Sequence, residues 1–431
     1  MSRPETDPTG GSVTGEIAGP VSRTTTFART FHAFTYRDYR LLWAGAFTSS
    51  VGTWMQEVAQ NWLILTMTGS AFLLGLDAFL GDAPFLAFSL FGGVLADRVD
   101  RRKILLSSQL VQLSSAFLLA GLIWGHAVHV WMILTLSFVV GFAQSFGGPA
   151  YQALVPTLVN KEDIGNAIAL NSIQFNLARV VGPVLGGIAF ATVGPAACFG
   201  LNGLSFLAVI AALLMLRRGA LDKETGKPEP VLESLKEGLR AVRDAKELRG
   251  LIGLSFVGSF CAMPLITFLP VFALRVFHRD AKGYSALLAV FGVGAVAGAV
   301  GIAGFVQRVR RKGVLAVTMQ MTFGVLTVGF ALSRNTALSY VLLLLAGAAL
   351  MVVFAMFMTL VQSNVENRLR GRVVSIYTVA FRGAMPLGNL TAGVLASFLG
   401  APRVLILDGA VLIAMGSFVL LRHARSGVTS L

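Results

Sequence analysis

Charge is the scarcest commodity in this sequence: Asp, Glu, Lys and Arg make up 13% of 431 residues, about half the share found in a soluble domain. That is too little to coat a water-soluble particle of this size, and a soluble enzyme is excluded on that ground. Cysteine is nearly missing as well. Cys198 and Cys261 both lie in apolar stretches, so no disulfide framework is written here. The five histidines, His32, His126, His129, His278 and His423, fall in tails or near the ends of apolar runs. They form no cluster with cysteine, so no metal site is expected. Gly226-Lys227 is followed by Pro228 rather than Ser or Thr, so there is no phosphate-binding loop and no sign of direct ATP use. A serine nucleophile elbow is also missing. The glycine series Gly292, Gly294, Gly298, Gly301 and Gly304 follows no strand and reads as close helix packing rather than a nucleotide fingerprint. Neither enzymatic activity nor a cofactor is expected.

What remains is apolar. Hydrophobic residues fill 55% of the chain, close to the ~240 that twelve membrane spans of about 20 residues require. Apolar runs recur at 41–67, 71–95, 104–124, 130–150, 167–191, 197–216, 250–273, 284–306, 314–333, 338–361, 373–398 and 403–421. Ahead of them, Met1 to Thr26 is rich in Ser, Thr, Gly and Pro and lacks the apolar core of a secretory signal, so it reads as a disordered tail.

The net charge of +14 has three readings: nucleic acid, anionic lipid or topology. Placement decides among them. With the N-terminus inside, 28 of the 35 Lys and Arg fall in cytoplasmic segments, five in outer loops, and two, Arg179 and Arg382, within spans. This asymmetry puts both termini in the cytoplasm and leaves no basic face for nucleic acid. The longest polar interruption, 217–249, divides the spans six and six. Lys223 to Pro230 reads as a flexible connector, and Val231 to Leu248 as an amphipathic helix at the inner membrane surface. Phe27 to Tyr39 reads as a similar entrance to the first span. The domains are thus a tail (1–35), a first six-helix bundle (36–216), a linker (217–249), a second bundle (250–424) and a short tail (425–431).

The halves repeat. Gly92 to Lys103 joins spans 2 and 3, and Gly301 to Lys312 joins spans 8 and 9, 209 residues later by their basic ends. Arg179-x-x-x-Pro183 in span 5 recurs as Arg382-x-x-x-Pro386 in span 11, 203 residues later. Duplicated halves fit a transporter that rocks one bundle against the other.

Gly93-Val94-Leu95-Ala96-Asp97-Arg98-Val99-Asp100-Arg101-Arg102-Lys103 resembles the loop 2–3 signature of the major facilitator superfamily, with Asp100 where that family usually has Gly. Tyr39 to Trp43, Gly52 to Gln56, Asn166-Ala167 through Arg179 to Gly187, and Arg370 to Val373 extend the likeness over about residues 36–422. They resemble the branch of the enterobactin exporter and of macrolide and multidrug efflux proteins. The resemblance implies twelve transmembrane helices in two pseudo-symmetric six-helix bundles, proton-driven export, and a cavity lined by helices 1, 4, 7 and 10. It also implies that Gly182, Pro183, Gly186 and Gly187 match the helix 5 motif of exporters.

Two sets of residues carry candidate chemistry. At the inner surface, Asp97 ends a helix and can latch onto basic groups such as Arg372, with Gly93, Arg98, Arg101 and Arg102 completing a cytoplasmic gate; the plain alternative is that the cations only set topology. Within the bilayer, Glu57 and Asp82 lie on consecutive spans, each about 16–18 Å deep in a ~30 Å core. Arg179 and Arg382 reach similar depth from the other side. Ionisable groups there are costly and mark proton or substrate pathways, against the alternative of a static pair that fixes packing. Gln56 and Gln60, with Asn61, are candidate hydrogen-bonding partners of a polar substrate; Trp54, Trp62, Phe79, Phe85 and Phe88 are candidates to stack on an aromatic one. Asp77 and Asp408 are shallower and read as facing outer water.

The expectation is a monomeric, proton-coupled exporter of a small amphipathic molecule, siderophore-like or drug-like, in the bacterial cytoplasmic membrane and surrounded by lipid. An importer, a lysolipid flippase and a non-transporting receptor are the rival readings. If Asp97 latches the inner side, Asp97→Asn should reduce transport to a small fraction of wild type with expression unchanged, as read by substrate flux in cells; unaltered flux sinks the latch.

Overall fold

The computed structural model describes residues 31–217, 231–305, 309, 311–366 and 368–426. The expected tail up to residue 30, the connector 223–230 and the last five residues lie outside them. Among the described residues the chain is helical without strands. The long helices are α1 (Arg37–Thr68), α2 (Ala71–Arg98), α3 (Arg101–Trp124), α4 (Val130–Leu154), α5 (Ile164–Val193) and α6 (Pro195–Met215). The short α7 (Val231–Asp244) precedes α8 (Lys246–Val271), α9 (Ala281–Phe305), α10 (Lys312–Leu332), α11 (Thr336–Ser363), α12 (Arg370–Leu399) and α13 (Ala401–Ser426).

Local chemistry sets the boundaries. α1 stops at Gly69, whose φ of 63° opens a left-handed turn, and Ser70 then caps α2 by accepting from the Leu73 amide at 3.3 Å. Asn335 caps α11 through the Ala337 and Leu338 amides. Asp100 caps α3 by accepting from the Arg102 amide at 2.9 Å, which gives a physical role to the acid that replaces the family glycine. Ahead of α1 the chain forms a 3₁₀ turn, His32–Thr35, instead of the amphipathic helix expected around Phe27 to Tyr39. Residues 27–30 of that expectation lie outside the described part.

Among the described residues ten helices are long and apolar enough to cross a membrane. The long helices that miss this test are α1 and α12. They carry Gln56, Glu57, Gln60 and Asn61, and Arg370, Arg372, Arg382 and Asn389, respectively. The same residues that dilute their hydropathy are the ones with candidate chemistry.

α1 to α6 pack on one another, as do α8 to α13; α2 meets α12 and α5 meets α9 along two seams between these groups. At the end where α1 finishes, a single apolar core takes residues from both groups, among them Trp62, Leu74, Phe199, Phe268, Tyr284 and Ala396. At the opposite end two cores stand apart. One is built on Tyr39, Leu42, Leu154 and Leu213, the other on Leu251, Phe357, Leu360 and Tyr377. Among the described residues the apolar core is therefore shared between the halves at one end and separate at the other. Side-chain bonds reinforce the joined end. Tyr284 takes a hydrogen bond from Asn61 at 3.3 Å and stacks on Trp62, and Arg275 donates to the Gly69 carbonyl.

The turn before α1 is pinned to the start of α5. Tyr36 donates to Asp163 at 2.7 Å, His32 Nδ1 lies 3.0 Å from the same carboxylate, and the Ala33 amide donates to Asn166. The Tyr36 hydrogen bond, with a smaller contribution from His32, holds Asp163 below the usual carboxylate range. The same bond raises the Tyr36 phenol above its usual value. The signs follow from linkage. The Asp163 contribution is complete above the ordinary carboxylate value and is lost as pH falls through its lowered one. The Tyr36 contribution is complete below the ordinary phenol value and fades as pH rises through its raised one. Docking is therefore firm across neutral pH, and Asp163→Asn should speed amide hydrogen exchange at residues 32–36 there; unchanged exchange would show that the backbone bonds suffice.

Candidate functional site

Two acid–arginine groupings sit midway along the helices. On α1, Glu57 is half-buried and within electrostatic reach of Arg179, Asp82 and Asp77. Arg179, on α5, places its guanidinium carbon 5.4 Å from the ring centres of both Trp54 on α1 and Phe291 on α9. Its Nε is buried without a hydrogen-bond partner. The second grouping spans the other seam. Asp82 on α2 and Arg382 on α12 are both exposed and in electrostatic contact, and Arg382 stacks 4.0 Å over the Phe85 ring. Among the described residues neither Glu57–Arg179 nor Asp82–Arg382 is closed into a direct salt bridge.

The two arginines thus sit reciprocally. Arg179 belongs to the first half and stacks on a ring of the second; Arg382 belongs to the second half and stacks on a ring of the first. Each is an arginine four residues before a helix proline, Pro183 or Pro386.

Gln56 and Gln60 are engaged elsewhere. Asn202 donates to Gln56 at 2.7 Å, Gln56 donates to Gln60 at 3.5 Å, and Gln60 donates to Asp77 at 2.7 Å. Ser137 completes the set, donating to the other Asp77 oxygen at 2.6 Å. This chain ties α6, α1, α2 and α4 together and satisfies a carboxylate that is only 5% exposed. The expectation that Asp77 faces outer water is corrected: Gln60 and Ser137 enclose it. Asp408 is corrected likewise. It is half-buried on α13 beside the Cys261 thiol, with one carboxyl oxygen sealed and unpartnered. Depth counted along a helix located Asp77 and Asp408, but their enclosure depends on neighbouring helices, which spacing does not reveal. Ser137 and Asn202 carried no signal at all, being ordinary polar residues in apolar runs.

At the far end of α2, the side chains of Gly93, Asp97 and Arg98 lie outside the described residues. Arg101 donates to the Ala153 carbonyl at 3.2 Å and Arg102 to the Leu214 carbonyl at 2.9 Å. Both therefore cover carbonyls in the last turns of α4 and α6, the favourable place for a cation. Arg372 pairs with Glu237 on α7.

A model of the transmembrane secretion effectors, within the major facilitator superfamily, matches residues 28–428. The chain belongs to that family. It is 28% identical to the multidrug efflux pump Tap of Mycolicibacterium fortuitum, covering 84% of this chain and 89% of the pump. It is 22% identical to the staphyloferrin A transporter of Staphylococcus aureus, covering 86% of this chain and 92% of that one. The nucleoside transporter NupG superposes with a TM-score of 0.70 at 13% identity, covering 89% of this chain and 98% of that structure, a likeness of fold. This secretion effector is a multi-pass membrane transporter rather than an enzyme.

Within the transporter, the exporter-type glycines make close contacts. Gly182 lies against Trp54 and the Val51 carbonyl, Gly186 against Met55, and Gly187 against Ser285 across the seam. Pro183 sits inside α5 between them. The glycine series on α9 behaves alike: Gly294 and Gly298 pack on the backbone of α11, and Gly292 on that of α5, whereas Gly301 has open space. Gly304 lies where side chains are undescribed. Gly182→Ala should destabilise by about 1–3 kcal/mol, the usual cost of overpacking, because its new methyl meets Trp54. Gly165→Ala, with nothing in reach, should instead be neutral or stabilising by up to about 1 kcal/mol. Thermal unfolding in detergent separates the two; equal melting temperatures would refute the packing role of Gly182.

Proposed function

We propose that this transporter exports a small amphipathic molecule in exchange for protons, by alternating access between two six-helix bundles. α1 and α12 join the ten apolar helices as spans, giving twelve; the bundles are 36–216 and 250–424, joined by the linker 217–249. The excess of Lys and Arg in alternate connections supports cytoplasmic termini in the inner membrane of a bacterium. On that topology the parted end of the molecule faces the cytoplasm. The efflux and siderophore functions in the names of Tap and the staphyloferrin A transporter support a drug-like or siderophore-like cargo. The transporter works as a monomer.

The observation that carries the reading is the exposed Asp82–Arg382 grouping on the seam. Arg382 belongs to the second half, and the acid that attracts it belongs to the first. While Asp82 is ionised it holds α12 against α2; a proton on Asp82 removes that attraction and leaves only the ring of Phe85. Glu57 acts through Arg179 at the other seam, where protonation frees the guanidinium that rests on Phe291. Each carboxylate therefore governs a charge that bridges the halves, so proton occupancy biases which end is open. The orphaned Nε of Arg179 is the donor an arriving polar group of the cargo would satisfy.

Glu57→Gln and Asp82→Asn should each weaken proton-coupled transport by about tenfold, within the range of a typical site–site coupling. Compound-dependent proton flux in reconstituted vesicles, against a panel of siderophores, drugs and lysolipids, measures it. Full proton-driven transport by Glu57→Gln would remove Glu57 as a carrier. Flux with no panel member would refute the export reading.

A further inference from the structure

α7 has two faces with opposite fates. The helix is anchored to α12 through the Glu237–Arg372 ion pair and the fit of Gly238 against Arg372 and Ile376. Ala241, Val242 and Ala245 pack on the core beneath it. At about 100° per residue, these apolar positions share one side. Lys236, Leu239, Arg240 and Arg243 fall within an arc of about 100° on the other side. All four are exposed, Leu239 at 54%. Asp244, which pairs with Arg243 at 3.4 Å, stands at the edge of that arc. Lys246 and Arg249 continue the exposed cations into α8, with Glu247 among them.

Three cations around an exposed leucine have no use for α12, which already occupies the other side. They do not suit plain solvent either, because Leu239 gains nothing there. The combination matches a surface whose outer layer is anionic and whose next layer is apolar. We propose that the outward face of α7 binds the anionic phospholipid surface of the membrane, with Lys236, Arg240 and Arg243 on headgroup phosphates and Leu239 among the upper acyl carbons. The Glu237–Arg372 pair passes that grip to α12, the helix that carries Arg382 ten residues further on. Assignment to the inner leaflet rests on the topology proposed above; the headgroup preference itself does not.

The test uses the full chain with Leu239→Cys labelled with bimane, Cys198 and Cys261 being buried. It is reconstituted in phosphatidylcholine vesicles carrying either brominated phosphatidylcholine or brominated phosphatidylglycerol. The expected result is markedly stronger quenching by the brominated phosphatidylglycerol, diminishing as salt is raised. Each cation contributes about fivefold in partition near an anionic surface. The Lys236→Gln/Arg240→Gln/Arg243→Gln variant should lose the preference, and Arg240→Lys/Arg243→Lys should keep it, which separates charge from misfolding. Equal quenching by the two lipids, or a preference surviving the triple glutamine change, overturns the proposal. None of these outcomes depends on cargo or proton flux.

Discussion

An arginine cannot readily shed its charge, and that constraint organises the middle of this molecule. Half-buried Arg179 and exposed Arg382 on the seam each take a countercharge and a polarisable surface. Each has found a carboxylate and an aromatic face. The amides of α1 serve other partners, Gln56 and Gln60 in the chain to Asp77 and Asn61 on Tyr284, and they leave α1 short of a span by hydropathy. The glycines of α5 let α1 approach closely enough for Trp54 to reach the Arg179 guanidinium.

The duplicated halves explain why the arrangement occurs twice. Arg179 and Arg382 were visible as a repeat in the chain, each followed by a proline at the same spacing. Their ring partners were not. Phe85 was singled out only as a ring for an aromatic substrate, Phe291 not at all, and among 31 phenylalanines nothing along the chain says that these two face a guanidinium. They lie on α2 and α9, helices at equivalent positions in the two halves, and each meets the arginine of the other half. The seams are related as the halves are, with the roles exchanged.

Much of the fold was legible because a membrane leaves few options. Long apolar runs must be helices, and ten of the expected spans meet the length and apolarity test outright. The amphipathic helix from Val231 was legible from its spacing and appears as α7. Position along a helix was legible too, since rise per residue converts sequence distance into length. Direction around a helix was not. Gln56 and Gln60 read as free donors, but they belong to the chain that satisfies Asp77, and Asp77 itself read as facing water because only its own helix was counted. The turn at Asp100 departs from the family pattern and resolves locally, as a cap on α3.

The single core at the joined end draws its residues from Met55 through Leu412, almost the whole length of the chain. Trp62 and Leu74 share that core with Leu119, Ile133 and Phe199 of their own half and with Phe268, Tyr284 and Ala396 of the other. The parted end is different, since each of its cores closes within one half. Burial is thus local at one end of the molecule and remote in sequence at the other. One end of each half is held by contacts within that half, whereas the other end needs residues from both.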